Sequence, residues 1–167
     1  MLTLRGLAVS LMLAVLPMQA HAQSAEMSAA ERVARAYMAE YSAANWDGMA
    51  PFMAEDFVLI DRTNPDPDFA PEYTSRESVL AMLRAFGADN GVSELGFEFP
   101  VIFESNDVVV FAGHVNTRGA PPSTDWNFHW RAEQVTVLYV RDGLITRHED
   151  FANYAHAQVT RAPRAER

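Results

Sequence analysis

The chain has 167 residues, a formal net charge of −9, 49% hydrophobic content, no Cys and no Lys. That acidity argues against nucleic acid and anionic membrane surfaces as partners. Absence of Cys excludes thiolate catalysis, thiolate metal ligation and disulfide support; absence of Lys excludes Schiff-base chemistry and Lys-dependent phosphate loops.

Residues 1–22 carry Arg5 as their only charge, an apolar stretch from Leu7 to Leu16, then Pro17 and Ala20-His21-Ala22. This is the pattern of a secretory signal peptide, too short to span a bilayer comfortably and followed by a small-x-small cleavage site. Cleavage is expected after Ala22, leaving a periplasmic or secreted protein with no stable membrane anchor. About 145 residues remain, enough for one core and too few for two ordinary domains. The expected division is a short extension over 23–27, one domain over 28–157 and a disordered tail over 158–167.

Ser28 and Glu31 have capping-box spacing, and apolar residues recur from Ala30 through Val33, Ala34, Tyr37, Met38 and Tyr41 to Ala44. This predicts a helix that Asp47-Gly48 ends, with Asp47 capping a second short helix through Phe52. Phe57 to Ile60 reads as a strand, and the segment 62–73, with three prolines, as a rim loop. Thr74 and Glu77 repeat the capping spacing for a third helix, with Gly87 as its stop. Thereafter the period becomes two, predicting four antiparallel strands: Leu95 to Glu104, Val108 to Arg118, Trp126 to Arg141 and Leu144 to Asn153. Three helices followed by such a sheet make an α+β order in which the helices cover one sheet face.

Three phrases in this order resemble the nuclear transport factor 2-like superfamily, in particular its SnoaL-like branch. They are Asn45 to Leu59 (Asn-Trp-Asp-Gly-Met-Ala-Pro-Phe-Met-Ala-Glu-Asp-Phe-Val-Leu), Ser75 to Val79, and Asp142 to Phe151 (Asp-Gly-Leu-Ile-Thr-Arg-His-Glu-Asp-Phe). The resemblance implies a cone-shaped curved antiparallel sheet covered by three N-terminal helices, a pocket at its wide end, and often a homodimer through the outer sheet face. It spans isomerases, cyclases, epoxide hydrolases, dehydratases and noncatalytic proteins, so the fold does not name a reaction.

Asp142-Gly143 is a preferred two-residue hairpin turn, and a tight turn sets the register of its strands. Counting outward places Arg141 opposite Leu144, Tyr139 opposite Thr146, Val137 opposite His148, Val135 opposite Asp150, Glu133 opposite Ala152 and Arg131 opposite Tyr154. This face is expected to look inward, leaving Gln134, Thr136, Arg147 and Glu149 outside. The resemblance points to the same strand, because SnoaL-like sequences often carry His-x-Asp there, matched by His148 and Asp150. Asp150 is the candidate base and His148 the candidate orienting group, acting without a cofactor on a small, largely apolar molecule; the alternative is a noncatalytic ligand-binding or homodimerisation module. Arg131 and Glu133 are readable as ligand contacts or, in the favoured reading, as a structural ion network with Asp150. Tyr139, His114 and His129 complete the expected lining, with Asp61 at the cavity mouth. His114, His129 and His148 would form a metal triad only on a shared face, and the adopted reading is hydrogen-bonded histidines without metal. Asp61, Asp66 and Asp68 lack the glycine and closing Glu of a calcium loop. Trp46, Trp126, Phe128 and Trp130 are candidates for stacking on a flat ligand or for packing in the core or a dimer face, and Phe97, Phe99 and Phe103 for core or pocket wall.

Overall fold

A computed structural model describes residues 27–65 and 72–164. The expected signal peptide and residues 66–71 of the proline-rich rim segment lie outside the described residues. The elements are α1 (Ala29–Ser42), α2 (Trp46–Met49), β1 (Met53–Asp61), α3 (Arg76–Asn90), β2 (Val92–Glu94), β3 (Glu98–Ser105), β4 (Val108–Gly119), β5 (Trp126–Arg141), β6 (Leu144–Ala152) and β7 (Gln158–Pro163).

Ser28 caps α1 as its spacing requires, its hydroxyl accepting from the Glu31 amide at 3.0 Å. The Glu31 carboxylate turns to Arg35 instead of closing the box. Ala30, Ala34, Tyr37, Met38 and Tyr41 form the buried stripe of α1. Asn45, rather than Asp47, caps α2, accepting from the Gly48 amide. The cap of α3 lies one residue beyond the expected Thr74, on Ser75, which exchanges hydrogen bonds with Ser78. Gly87 does not stop α3. A Cβ there would come within 3.1 Å of the Trp46 indole nitrogen, so this glycine admits a close helix contact. Gly91, at φ +56°, is the left-handed residue that ends the helix.

The seven strands run in the order β1-β6-β5-β4-β2. β3 joins β4 beside β2, and β7 joins β5 beside β6. The sheet is mixed, not wholly antiparallel, because β1 enters alongside β6 in parallel, with Leu59 beside His148 and Asp61 beside Asp150. β5 is the spine: residues 134–141 pair with β6 and residues 126–131 pair with β7. The segment 158–163, expected to be tail, is therefore a strand of the sheet. α1 and α3 cover the concave face, and Tyr37, Met49, Met53, Phe57, Val79, Leu83, Phe111 and Leu138 join helices to sheet in one core.

Candidate active site

The final hairpin begins as the turn dictates, with Arg141 opposite Leu144 and Val140 opposite Ile145. A β-bulge then inserts one extra residue into β6, so Tyr139 faces Arg147 and not Thr146. Beyond it Leu138 pairs with His148, Thr136 with Asp150 and Gln134 with Ala152. His148 and Asp150 do look inward, but the β5 residues beside them are Gln134, Thr136 and Leu138, all buried. Arg131, Glu133 and Tyr139 consequently share the outer face. There Arg131, Glu133 and His114 line a separate polar groove with Asn153 and His156. His129 belongs to that outer face by register, with its Nε2 buried and unpartnered among the described residues. The three histidines therefore do not converge, and among the described residues no group of three or more His, Asp or Glu is arranged to hold a metal.

The expected Arg131–Asp150 ion network is replaced by hydrogen bonds from three other side chains. Asp150 Oδ1 accepts from Gln134 Nε2 at 2.7 Å, Thr136 Oγ1 at 2.5 Å and His148 Nε2 at 2.9 Å. The other side of the His148 ring lies 2.9 Å from the Tyr37 hydroxyl. Burial, and then the charge of Asp150, raises the Tyr37 pKa well above its ordinary value, so that hydroxyl keeps its proton. In the Nε2–H tautomer of His148 this hydroxyl donates to Nδ1 and the ring proton on Nε2 is directed at Asp150. His148 is completely buried and is held edge-on by Tyr37 and Tyr41, at ring centroid distances of 5.7 and 5.1 Å.

Asp150 opens onto a cavity of about 520 Å³ between the concave sheet face and α3. Its walls are mainly apolar and aromatic, with Tyr41, Phe86, Phe97, Trp126, Phe128 and Trp130 contributing rings. Phe103 is not among them: a bulge in β3 interrupts the alternation, and this ring is 54% exposed. Asp61 reaches the same cavity from the strand beside Asp150 and accepts a hydrogen bond from the Tyr154 hydroxyl. Burial raises the Asp61 pKa, reinforced by Asp150 and opposed by the hydrogen bonds from Tyr154 and the Thr63 amide. Burial also raises the Tyr154 pKa, and the hydrogen bond to Asp61 adds to it. The site thus sets two carboxylates on adjoining strands, one braced by three donors and the other linked to a phenol.

Sequence reasoning reached Asp150, His148 and Asp61 and placed Tyr154 on the inward face, but missed Tyr37, Gln134, Thr136 and Arg161 as part of this site. Tyr37 was visible as a buried-stripe tyrosine, a residue whose hydroxyl needs a partner when buried. The β5 pair was hidden by the bulge, and Arg161 by the unexpected course of the chain after β6.

Residues 34–148 match the SnoaL-like domain. The chain belongs to the SnoaL-like domain family. Its structure is similar to a protein described as a SnoaL-like polyketide cyclase from Shewanella putrefaciens CN-32, at 23% identity and a TM-score of 0.67 over 90% of this chain and 94% of that one. An NTF2-like protein from Burkholderia xenovorans LB400 is 16% identical with a TM-score of 0.56, over 78% of this chain and 95% of that one. A computationally designed 17-OHP binder is 19% identical with a TM-score of 0.61, over 81% and 98%. No curated protein matches the chain. These likenesses establish the SnoaL-like, NTF2-like α+β fold, and the matched span takes in His148 while ending two residues before Asp150.

Proposed function

We propose that this SnoaL-like chain is an exported protein that binds a small, largely apolar molecule in the cavity and moves a proton on it by cofactor-free acid-base chemistry. The observation that carries the reading is Asp150: one oxygen is held by hydrogen bonds to three side chains, and the carboxylate lines a ligand-sized, mainly apolar space. A carboxylate so oriented is built to take a proton from a carbon beside a carbonyl. His148 acts as its positioning residue through Nε2, and Tyr37 fixes the tautomer of His148. The polyketide cyclase description of the Shewanella protein and the designed 17-OHP binder support a fused-ring or similarly compact ligand class for this fold.

Solvent deuterium incorporation beside the carbonyl of a bound bicyclic β-keto ester tests the base. Wild type should exchange, whereas Asp150→Asn should lose at least about a hundredfold in rate, the usual contribution of a positioned base, while still binding the ester. Undiminished exchange in Asp150→Asn would remove Asp150 from that role.

The outer sheet face supports a homodimer. Val101, Ala112, Val135 and Phe151 lie in register across β3, β4, β5 and β6, and Val101, Val135 and Phe151 are exposed, as is Phe103 nearby. An exposed apolar row on a sheet face is a protein contact surface. Light scattering should give twice the chain mass, and Val101→Glu with Phe103→Glu should give a monomer that retains its fold.

A further inference from the structure

Arg161 is the one cationic side chain among the described residues that line the cavity. It lies on β7 opposite Phe128, with its guanidinium carbon 4.7 Å from the centroid of the Trp126 ring. Arg161 has no carboxylate partner among the described residues, as is also true of Arg32, Arg76, Arg131 and Arg164, but it alone of these lines the cavity. A guanidinium seated over an indole keeps N–H groups free to meet a planar anion.

The negative groups sit elsewhere in the cavity. Asp61 and Asp150 adjoin across β1 and β6, and Asp150 lies opposite Thr136 on β5. Thr136 and Phe128 are eight positions apart along the curved β5, and Tyr154 stands between the two regions, its hydroxyl on Asp61 and its ring 5.7 Å from Trp130. One region of the space therefore carries two acids, and another carries, beside aromatic walls, a cation with no carboxylate partner among the described residues. A negative group on a ligand is repelled from the first region and attracted to the second.

We infer that the ligand of this cavity is an amphiphilic anion, a ring-bearing apolar body whose carboxylate or comparable group is held by Arg161 at the Trp126 side. This inference rests on the cavity being a ligand site, as proposed above. It sets the orientation of binding: the anionic group at Arg161, the uncharged remainder directed toward Asp61 and Asp150.

Two fluorescent probes with the same ring system separate the contributions. They are 1-anilinonaphthalene-8-sulfonate and its uncharged parent N-phenyl-1-naphthylamine, titrated into the folded protein at low and high salt. Arg161→Met should weaken the sulfonate probe roughly tenfold, the loss of one charge-assisted contact, and leave the uncharged probe unchanged. Arg161→Lys should keep most of the sulfonate affinity, and wild-type affinity for the sulfonate alone should fall with salt. Arg131→Met, which removes a cation from the opposite sheet face, should affect neither probe. Equal shifts of both probes in Arg161→Met, no shift of the sulfonate, or a loss that follows Arg131 would overturn the inference. Failure of both probes to bind wild type would overturn the ligand-site reading first and this inference with it, a result distinct from the others.

Discussion

The buried chain from Tyr37 through His148 to Asp150 makes a measurable claim about coupling. Tyr37→Phe removes only a hydroxyl, but both residues are fully buried, so His148 Nδ1 is left without a partner. The cost of such an orphaned group is about 1–3 kcal/mol. His148→Phe keeps a ring between Tyr37 and Tyr41, yet it orphans the Tyr37 hydroxyl and takes one of the three donors from Asp150 Oδ1, for about 3 kcal/mol. In the double variant the Tyr37–His148 bond can be lost only once, and neither of its partners is stranded. The combined loss should therefore fall short of the sum of the single losses by about 1–2 kcal/mol. Urea unfolding of the four proteins at neutral pH gives the cycle, with equal m-values as the check on two-state behaviour. Additivity within about 0.5 kcal/mol would mean that the two side chains do not interact, and the tautomer assigned to His148 would lose its basis.

Two further outcomes follow from other parts of the molecule. The pKa of Asp61 is raised, burial being the largest cause, so the folded state holds its proton to higher pH than the unfolded chain does. Stability is therefore lost as pH climbs from the ordinary carboxylate range through the folded value, because the unfolded chain gives up this proton first. Asp61→Asn should accordingly gain melting temperature relative to wild type as pH is raised from acid to neutral; a gain that is flat or shrinks with pH contradicts the burial argument. Glycine replacement separates two costs: Gly91→Ala must accept φ +56° and a Cβ 2.1 Å from the Ala120 carbonyl oxygen, whereas Gly143→Ala, at φ +78°, meets nothing within 4 Å. Gly143→Ala should cost about 1 kcal/mol and Gly91→Ala at least about twice that, read as the difference in thermal midpoint, and equal losses would refute the clash.

The helices and most strands were legible because their signals are local. Ser28 announced α1 through its capping hydroxyl, and the period-two stretches from Val108 onward marked β4, β5 and β6 with nearly correct ends. Errors arose where a local signal had several physical uses. Gly87 read as a stop but serves a helix contact with Trp46, and the true stop, Gly91, lies four residues further on. Parallel entry of β1 beside β6 and docking of β7 on β5 are long-range pairings that no adjacent turn specifies. In the site, the identities of Asp150 and His148 were legible but their neighbours were not. Counting from Asp142-Gly143 assumes an unbroken ladder, and one extra residue exchanges which side of β5 accompanies them.

The irregularity at Thr146 has a bearing on how this hairpin can change in descent. The supernumerary residue is accommodated between two stretches of ladder, so losing it would regularise β6 and keep Leu138 beside His148 and Thr136 beside Asp150. Losing Glu149 instead would place His148 and Asp150 on opposite sides of the strand. Length variation among relatives should therefore collect at position 146, where the chain has slack, and avoid the dipeptide step that keeps imidazole and carboxylate together.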